Sequence, residues 1–397
     1  MTPDEPSPTG WSGPAVLSFG FRPFFLLAGL WAALSMALWL VMLRTGLALP
    51  THLDPVSWHA HAALYGYLGA VLPGFLLTAV PSWTGRPPLG GWTLLGLVVL
   101  WLFGRIAVAV SEYLPLLAVT LTDLAGLVIF GGILVREIVT AKNWRNLVVI
   151  AILGVFVAGN AVFHAEAAGG GHAASGYGLR IGLAAGIMLI SLIGGRIVPA
   201  FTRNWLVERD GARLPAAFGP PDRLALVLNV PALSCWVAMP RGSVAGLLLL
   251  VTGLVQLGRL ARWRGLSTWS EPLVWILHVG YAFIPVGMLA LGTAILWPGS
   301  LTHAAAQHAW MAGAIGVMTL AVMTRASLGH TGRPLAAGAA TTALYLLVIG
   351  SVVARLLSGV QPHWAQSLWT VSAILWTLGL AGFAIVYGRL LIGPVTR

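Results

Sequence analysis

Runs of about 20 apolar residues, the length an α-helix needs to cross roughly 30 Å of hydrocarbon, follow one another along this chain with only short polar or Gly/Pro breaks between them. Twelve can be placed, at approximately 22–43, 58–80, 92–111, 114–136, 145–164, 179–201, 222–240, 243–261, 272–296, 305–326, 337–357 and 364–388. In lipid the backbone must pair its own N–H and C=O groups, so this succession predicts an all-α polytopic membrane protein. Composition agrees: 58% of residues are hydrophobic and 8% charged, more apolar surface than one soluble core can hide. A net charge of +11 would suggest nucleic acid for a soluble protein, but here the cations stand singly between apolar runs, so the expected partner is the lipid bilayer and no nucleic acid. With the N-terminus inside, seventeen of the 22 Lys and Arg fall on the inner side, which predicts that both termini are cytoplasmic. The acidic start reads as a short disordered cytoplasmic tail over 1–18 with no cleaved signal peptide.

The stretch beginning Trp58-His59-Ala60-His61 returns later in the chain. An offset of 247 residues aligns His61 with His308, Gly66 with Gly313, Gly69 with Gly316 and Thr84-Gly85-Arg86-Pro87 with Thr331-Gly332-Arg333-Pro334. A weaker copy at offset 118 places Val198-Pro199-Ala200-Phe201-Thr202-Arg203 over Val80 to Gly85, with Leu179 where the histidine would be. These segments are the second, sixth and tenth crossings, and an even spacing makes the repeats parallel, related by an axis along the membrane normal. One integral membrane domain, 1–397, is therefore expected, with three pseudo-repeats of four helices at about 19–144, 145–264 and 265–397. This arrangement resembles the plan of the haem-copper oxidases.

Only one cysteine, Cys235, is present, which excludes an intrachain disulfide, a thiolate cluster and a CxxCH haem attachment and leaves imidazole as the metal-binding chemistry. Asp54-Pro55 is an N-cap and N1 pair, so His59 and His61 lie near the outer end of the second helix, with His308 and His164 expected in the same layer. Two residues apart, His59 and His61 are about 200° apart on a helix and cannot share a metal. One is expected to face inward as an axial haem ligand, with His308 or His164 opposite it or on a neighbouring copper. The alternative for each is a hydrogen-bonded interfacial histidine. His278 is a candidate for a second, inner metal together with His330; a backbone carbonyl or Tyr281 could instead satisfy it, and His330 could be structural in its turn. Arg86, Arg203 and Arg333 can serve helix-end carbonyls, lipid headgroups or a haem propionate. Neither the TGRP turns nor Gly194-Gly195-Arg196 opens a helix after a strand, so a phosphate loop is excluded. Arg105, Arg355 and Asp123 are the remaining charges inside crossings, Asp123 either relaying protons or bonding locally to Thr120 or Thr122.

These motifs resemble the NnrS family of bacterial membrane proteins over nearly the whole chain. The resemblance rests on Gly20-Phe21-Arg22-Pro23-Phe24-Phe25, Trp58-His59-Ala60-His61, 75–89, Asn143-Trp144-Arg145-Asn146, 194–204, 271–281 and 308–335. It implies a protein of the bacterial cytoplasmic membrane with haem, of b type, and copper, associated with nitric oxide metabolism and nitrosative-stress tolerance. The family usually continues its WHAH with an acidic residue; this chain has Ala62, and Glu166 beside His164 is the candidate replacement. The leading expectation is a redox haem protein that binds and reduces nitric oxide at a His-ligated haem or metal site in the outer half of the bilayer, with electrons from a second metal or an external donor. The rival expectations are a non-catalytic nitric oxide or metal binding protein and a secondary transporter, which would instead gather charges at the midplane.

Overall fold

A computed structural model describes residues 11–211 and 213–394, and among these every regular element is helical. Twelve long helices occur: α1 (Phe21–Thr45), α2 (Pro55–Thr84), α3 (Gly91–Ala109), α4 (Leu116–Thr140), α5 (Trp144–Ala168), α6 (Tyr177–Val207), α7 (Pro220–Ala238), α8 (Ser243–Ala261), α9 (Pro272–Leu296), α10 (His303–Gly329), α11 (Ala339–Leu357) and α12 (Pro362–Ile392). Eleven are both long and apolar enough to cross a membrane. The twelfth, α7, has the length at 19 residues, but Asp222, Arg223 and three prolines dilute its apolarity. Large apolar side chains such as Leu30, Phe103, Leu121 and Ile385 lie exposed on these helices, as lipid-facing positions require. Of the expected tail, 1–10 lies outside the described residues; 15–17 form a 3₁₀ turn in which Leu17 is buried, and Trp11 meets Trp92 edge-on.

The TGRP motifs are helix stops. Gly85 and Gly332 both sit in the left-handed region, at φ 69° and 73°, which glycine adopts without the Cβ penalty other residues meet. The Gly85 amide closes on the Pro81 carbonyl at 2.9 Å, the hydroxyls of Thr84 and Thr331 bond Val80 and Ser327 carbonyls, and the following proline keeps the helix from resuming. The third copy has Arg203 in place of the glycine, and α6 accordingly runs on to Val207. The 247-residue offset extends to backbone geometry as well. π-helical segments follow the aligned histidines directly, Ala62–Leu68 in α2 and Ala309–Val317 in α10.

By contacts the chain forms two compact units, one of 1–182, 326–334 and 380–397, the other of 183–325 and 335–379. In the first, α1 packs on α2, and α3, α4 and α5 follow as neighbours. The buried guanidinium of Arg22 is tied to the chain's C-terminal end, donating to the carbonyls of Leu391 at 3.2 Å and Gly393 at 2.6 Å.

The second unit is organised around Arg259 of α8, which is fully buried. It donates to Asp222 at 3.0 Å, to the Ser191 carbonyl at 3.2 Å and to the Tyr281 hydroxyl at 2.7 Å. Gln256, Asn229 and the Ser191 hydroxyl extend the network. A Cβ at Gly195 would stand 2.0 Å from an Arg259 Nη, so the Gly-Gly-Arg stretch makes room for a guanidinium rather than for a phosphate. Because the guanidinium is held by three partners, Gly195→Ala is expected to cost roughly 1–3 kcal/mol and to lower the thermal midpoint in detergent. An unchanged midpoint would mean that Arg259 moves aside freely.

Candidate metal centre

The site is built at the N-terminal end of α2. Asp54 starts the helix, its carboxylate accepting from the amides of Val56 and Ser57 at 3.1 Å each. Burial alone would raise this carboxyl, but the Ser57 hydrogen bonds and the neighbouring His172 outweigh it and hold Asp54 below the usual carboxylate range. The helical twist then separates the two histidines as expected. His59 turns to α1 and stacks on Trp39, centroids 4.7 Å apart and planes 17° apart, while His61, 1% exposed, turns inward.

His61 meets Asp123 of α4 and both Asn160 and His164 of α5. The latter two are four residues apart and so share one helix face. His61 Nε2 lies 3.0 Å from Asp123 Oδ2 and 3.0 Å from Asn160 Oδ1. His164 Nε2 lies 3.0 Å from the same Asp123 Oδ2, to which Asn160 Nδ2 also donates at 2.8 Å. The other carboxylate oxygen accepts from Arg105 of α3. All five side chains are buried. Glycines allow these approaches: a Cβ at Gly104 would touch Asp123 at 3.0 Å, and one at Gly159 would stand 2.8 Å from both the Gly182 amide and the Tyr65 hydroxyl. Tyr65 lies one turn beyond His61, inside the π segment, and donates to the Gly178 carbonyl at 2.7 Å. π segments of this kind, which widen one turn and re-aim side chains, are frequent at functional sites.

The ligand atoms of His61, Asp123 and His164 lie within 4.8 Å of one another. Two ligands each about 2.1 Å from one ion and about 90° apart would be separated by roughly 3 Å, the spacing each imidazole nitrogen keeps from Asp123 Oδ2. The donor set thus fits a single transition-metal ion. It does not fit an axial haem pair, because both imidazoles converge on one carboxylate oxygen instead of facing each other across an open plane. Arg105 already offsets Asp123, so any ion held there would add its own charge to the interior. Beside the carboxylate a cavity of about 10 Å³, room for one water-sized molecule, is lined by Phe24, Tyr65, Leu97, Trp101, Arg105 and Asp123 among others.

The sequence model of the family described as NnrS protein matches residues 15–394. The chain belongs to the NnrS family. No curated protein matches it. In this NnrS-family chain, Glu166 does not stand in for the acid that Ala62 lacks. Its carboxylate accepts from the amides of Tyr177 at 2.6 Å and Gly178 at 3.0 Å, capping α6. The carboxylate beside the two imidazoles is that of Asp123, which among the described residues bonds neither Thr120 nor Thr122; Thr120 donates to the Leu116 carbonyl.

The remaining candidates have neighbours of their own. His308, in the second unit, has Nδ1 2.6 Å from the Ala304 carbonyl of its own helix. His278, also there, has Nε2 2.7 Å from the Thr202 hydroxyl, which donates to the Val198 carbonyl. That hydroxyl therefore accepts from His278, leaving Nδ1 as a buried lone pair without a partner among the described residues, 2.7 Å from where a Cβ on Gly265 would be. His330 lies against the Phe21 ring at 5.5 Å. Arg333 follows the second TGRP glycine, its amide on the Leu328 carbonyl. Arg86 pairs with Glu137 at the far end of α2, roughly 35 Å along the helix from His61 at 1.5 Å per residue.

Proposed function

We propose that this protein binds a copper ion through His61, Asp123 and His164 and there binds and reduces nitric oxide drawn from the bilayer. The observation that carries the reading is the convergence of two imidazole nitrogens, each 3.0 Å away, on one carboxylate oxygen deep in a membrane bundle. A copper ion held there would supply a one-electron, Lewis-acidic centre for a diatomic ligand. The chain's own residues do the rest. Arg105 and Asn160 hold the Asp123 carboxylate in place, as outer partners of metal ligands do, and the aromatic wall of the adjoining cavity excludes bulk water while admitting a small uncharged molecule. Reduction balances as two nitric oxide molecules, two electrons and two protons giving nitrous oxide and water, with the electrons from an external one-electron donor. The family's association with nitric oxide supports the choice of ligand. The bacterial cytoplasmic membrane, with both termini on the cytoplasmic side, remains the location that the charge distribution favours. His278, with its buried Nδ1 lone pair, is the histidine we assign to a second metal ion.

One observation favours a metal-free reading: Arg105, Asn160 and the two imidazoles already satisfy Asp123 by hydrogen bonding alone. Elemental analysis decides between the two. Purified wild-type protein is expected to carry about one copper per chain, and His61→Ala and His164→Ala to fall at least tenfold, a loss of ~1.4 kcal/mol or more in binding, with haem content unchanged. Copper retained in both variants would exclude the site. Membranes given nitric oxide and a reductant are then expected to form nitrous oxide with wild type and not with His61→Ala; no nitrous oxide from wild type would leave binding alone.

A further inference from the structure

A cavity of about 290 Å³ lies between the ends of α2 and α4 that are remote from the metal cluster. Its inner wall is apolar, from Leu77, Ile133 and Leu134, and its polar part is formed by Arg86, Arg136 and Glu137. Glu137 serves both arginines: Arg86 Nε donates to one oxygen, and Arg136 Nη2 to the other at 2.8 Å. Two guanidinium groups against one carboxylate leave one positive charge in excess.

That excess is not absorbed by helix ends. The last carbonyls of α2 are already served, Trp83 by the Asn143 amide at 2.6 Å, Pro81 by the Gly85 amide and Val80 by the Thr84 hydroxyl. The two terminal amino groups of Arg86 have no protein hydrogen bond among the described residues, and the side chain is 38% exposed. The left-handed turn at Gly85 and the two prolines after Arg86 hold it at the cavity. The ends of two spanning helices fall at headgroup depth, and counting alternate crossings puts them with the segments that hold seventeen of the 22 Lys and Arg, the side to which acidic lipids are attracted.

We propose that this cavity is a binding site for an anionic phospholipid, its phosphate on Arg86 and Arg136 and the start of its acyl chains along Leu77, Ile133 and Leu134. A phosphate takes the fork of a guanidinium in a charge-assisted, bidentate fashion, and only a lipid also fills the apolar wall. Free phosphate shares the first half of that chemistry and not the second.

The test uses full-length protein extracted in a neutral detergent and re-equilibrated with phosphatidylglycerol, phosphatidylcholine or inorganic phosphate, with retained lipid counted by native mass spectrometry. Wild type is expected to keep about one phosphatidylglycerol per chain and to discriminate against phosphatidylcholine. Arg86→Gln and Arg136→Gln are each expected to lower retention about fivefold, the effect of one cation near an anionic headgroup. Glu137→Gln breaks the same ion pairs but leaves both cations, and is expected to retain at least as much lipid as wild type. Equal loss in all three variants would mean that only local structure was disturbed, and would overturn the proposal. So would displacement of the lipid by millimolar inorganic phosphate, which would make the site one for the free anion. Copper content is expected to stay at the wild-type level in Arg86→Gln, so the outcome is independent of the metal centre.

Discussion

Asp123→Leu is expected to lose roughly 3–5 kcal/mol of stability, enough to stop the protein from accumulating in membranes. Its carboxylate is wholly enclosed and is the counterion of Arg105, itself 5% exposed. Removing one partner of a buried pair leaves the other charge uncompensated, and that, more than the loss of the pair itself, is what destabilises. Removing both charges is therefore expected to be much milder. The double variant Asp123→Leu/Arg105→Leu should recover most of the accumulated protein and of the thermal midpoint while still failing to bind copper. The pair of measurements separates the two roles of Asp123, as counterion and as ligand. A single Asp123→Leu variant as stable as wild type would show that the guanidinium reaches water or lipid headgroups, and that the enclosed pair described above is not what holds these helices.

The second large effect is expected at Gly178. A Cβ there would stand 2.3 Å from the backbone nitrogen of Phe163 and 2.5 Å from its Cα. Backbone atoms have no rotamer to escape into, so α6 must move off α5 next to His164. We expect Gly178→Ala to cost roughly 3 kcal/mol, the upper end for overpacking, and to reduce bound copper with it. Gly154, on the same helix α5, is the control: a Cβ there meets nothing within 4 Å, and Gly154→Ala should be neutral or stabilising by up to about 1 kcal/mol. Thermal unfolding of the two variants in one detergent checks the contrast. Equal midpoints would mean that the α5–α6 approach is not tight.

The crossings were legible because lipid demands long apolar helices, and every predicted span falls on a long helix. Only α7 falls short on apolarity, because Asp222 is spent inside the second unit on Arg259. That His59 and His61 point apart followed from 100° per residue alone; which of them turns inward did not. The centre itself was half legible. His61 and His164 were candidates; His308 was grouped with them because the repeat places it at the same depth, and it belongs to the second unit. Asp123 and Arg105 were seen as charges inside crossings and read separately. The signal that joins them was present: opposite charges on consecutive helices, at similar distances from the turn between α3 and α4, are strongly driven to pair in lipid. Asn160 carried no signal beyond its i, i+4 relation to His164. Glu166 misled because nearness in sequence to a ligand histidine stood in for geometry; on a helix a residue two positions away points elsewhere.

One substitution within the repeated turn has a mechanical consequence. Where glycine ends α2 and α10, Arg203 lets α6 continue, so that 31 residues make a rod of about 46 Å at 1.5 Å per residue, longer than the roughly 30 Å of hydrocarbon it crosses. Its first turn is latched by Glu166, two residues from His164, and its other end finishes at the exposed Val207. The surplus of helix over hydrocarbon has to be taken up by tilt, by a bend at Pro199 or by turns that stand clear of the lipid.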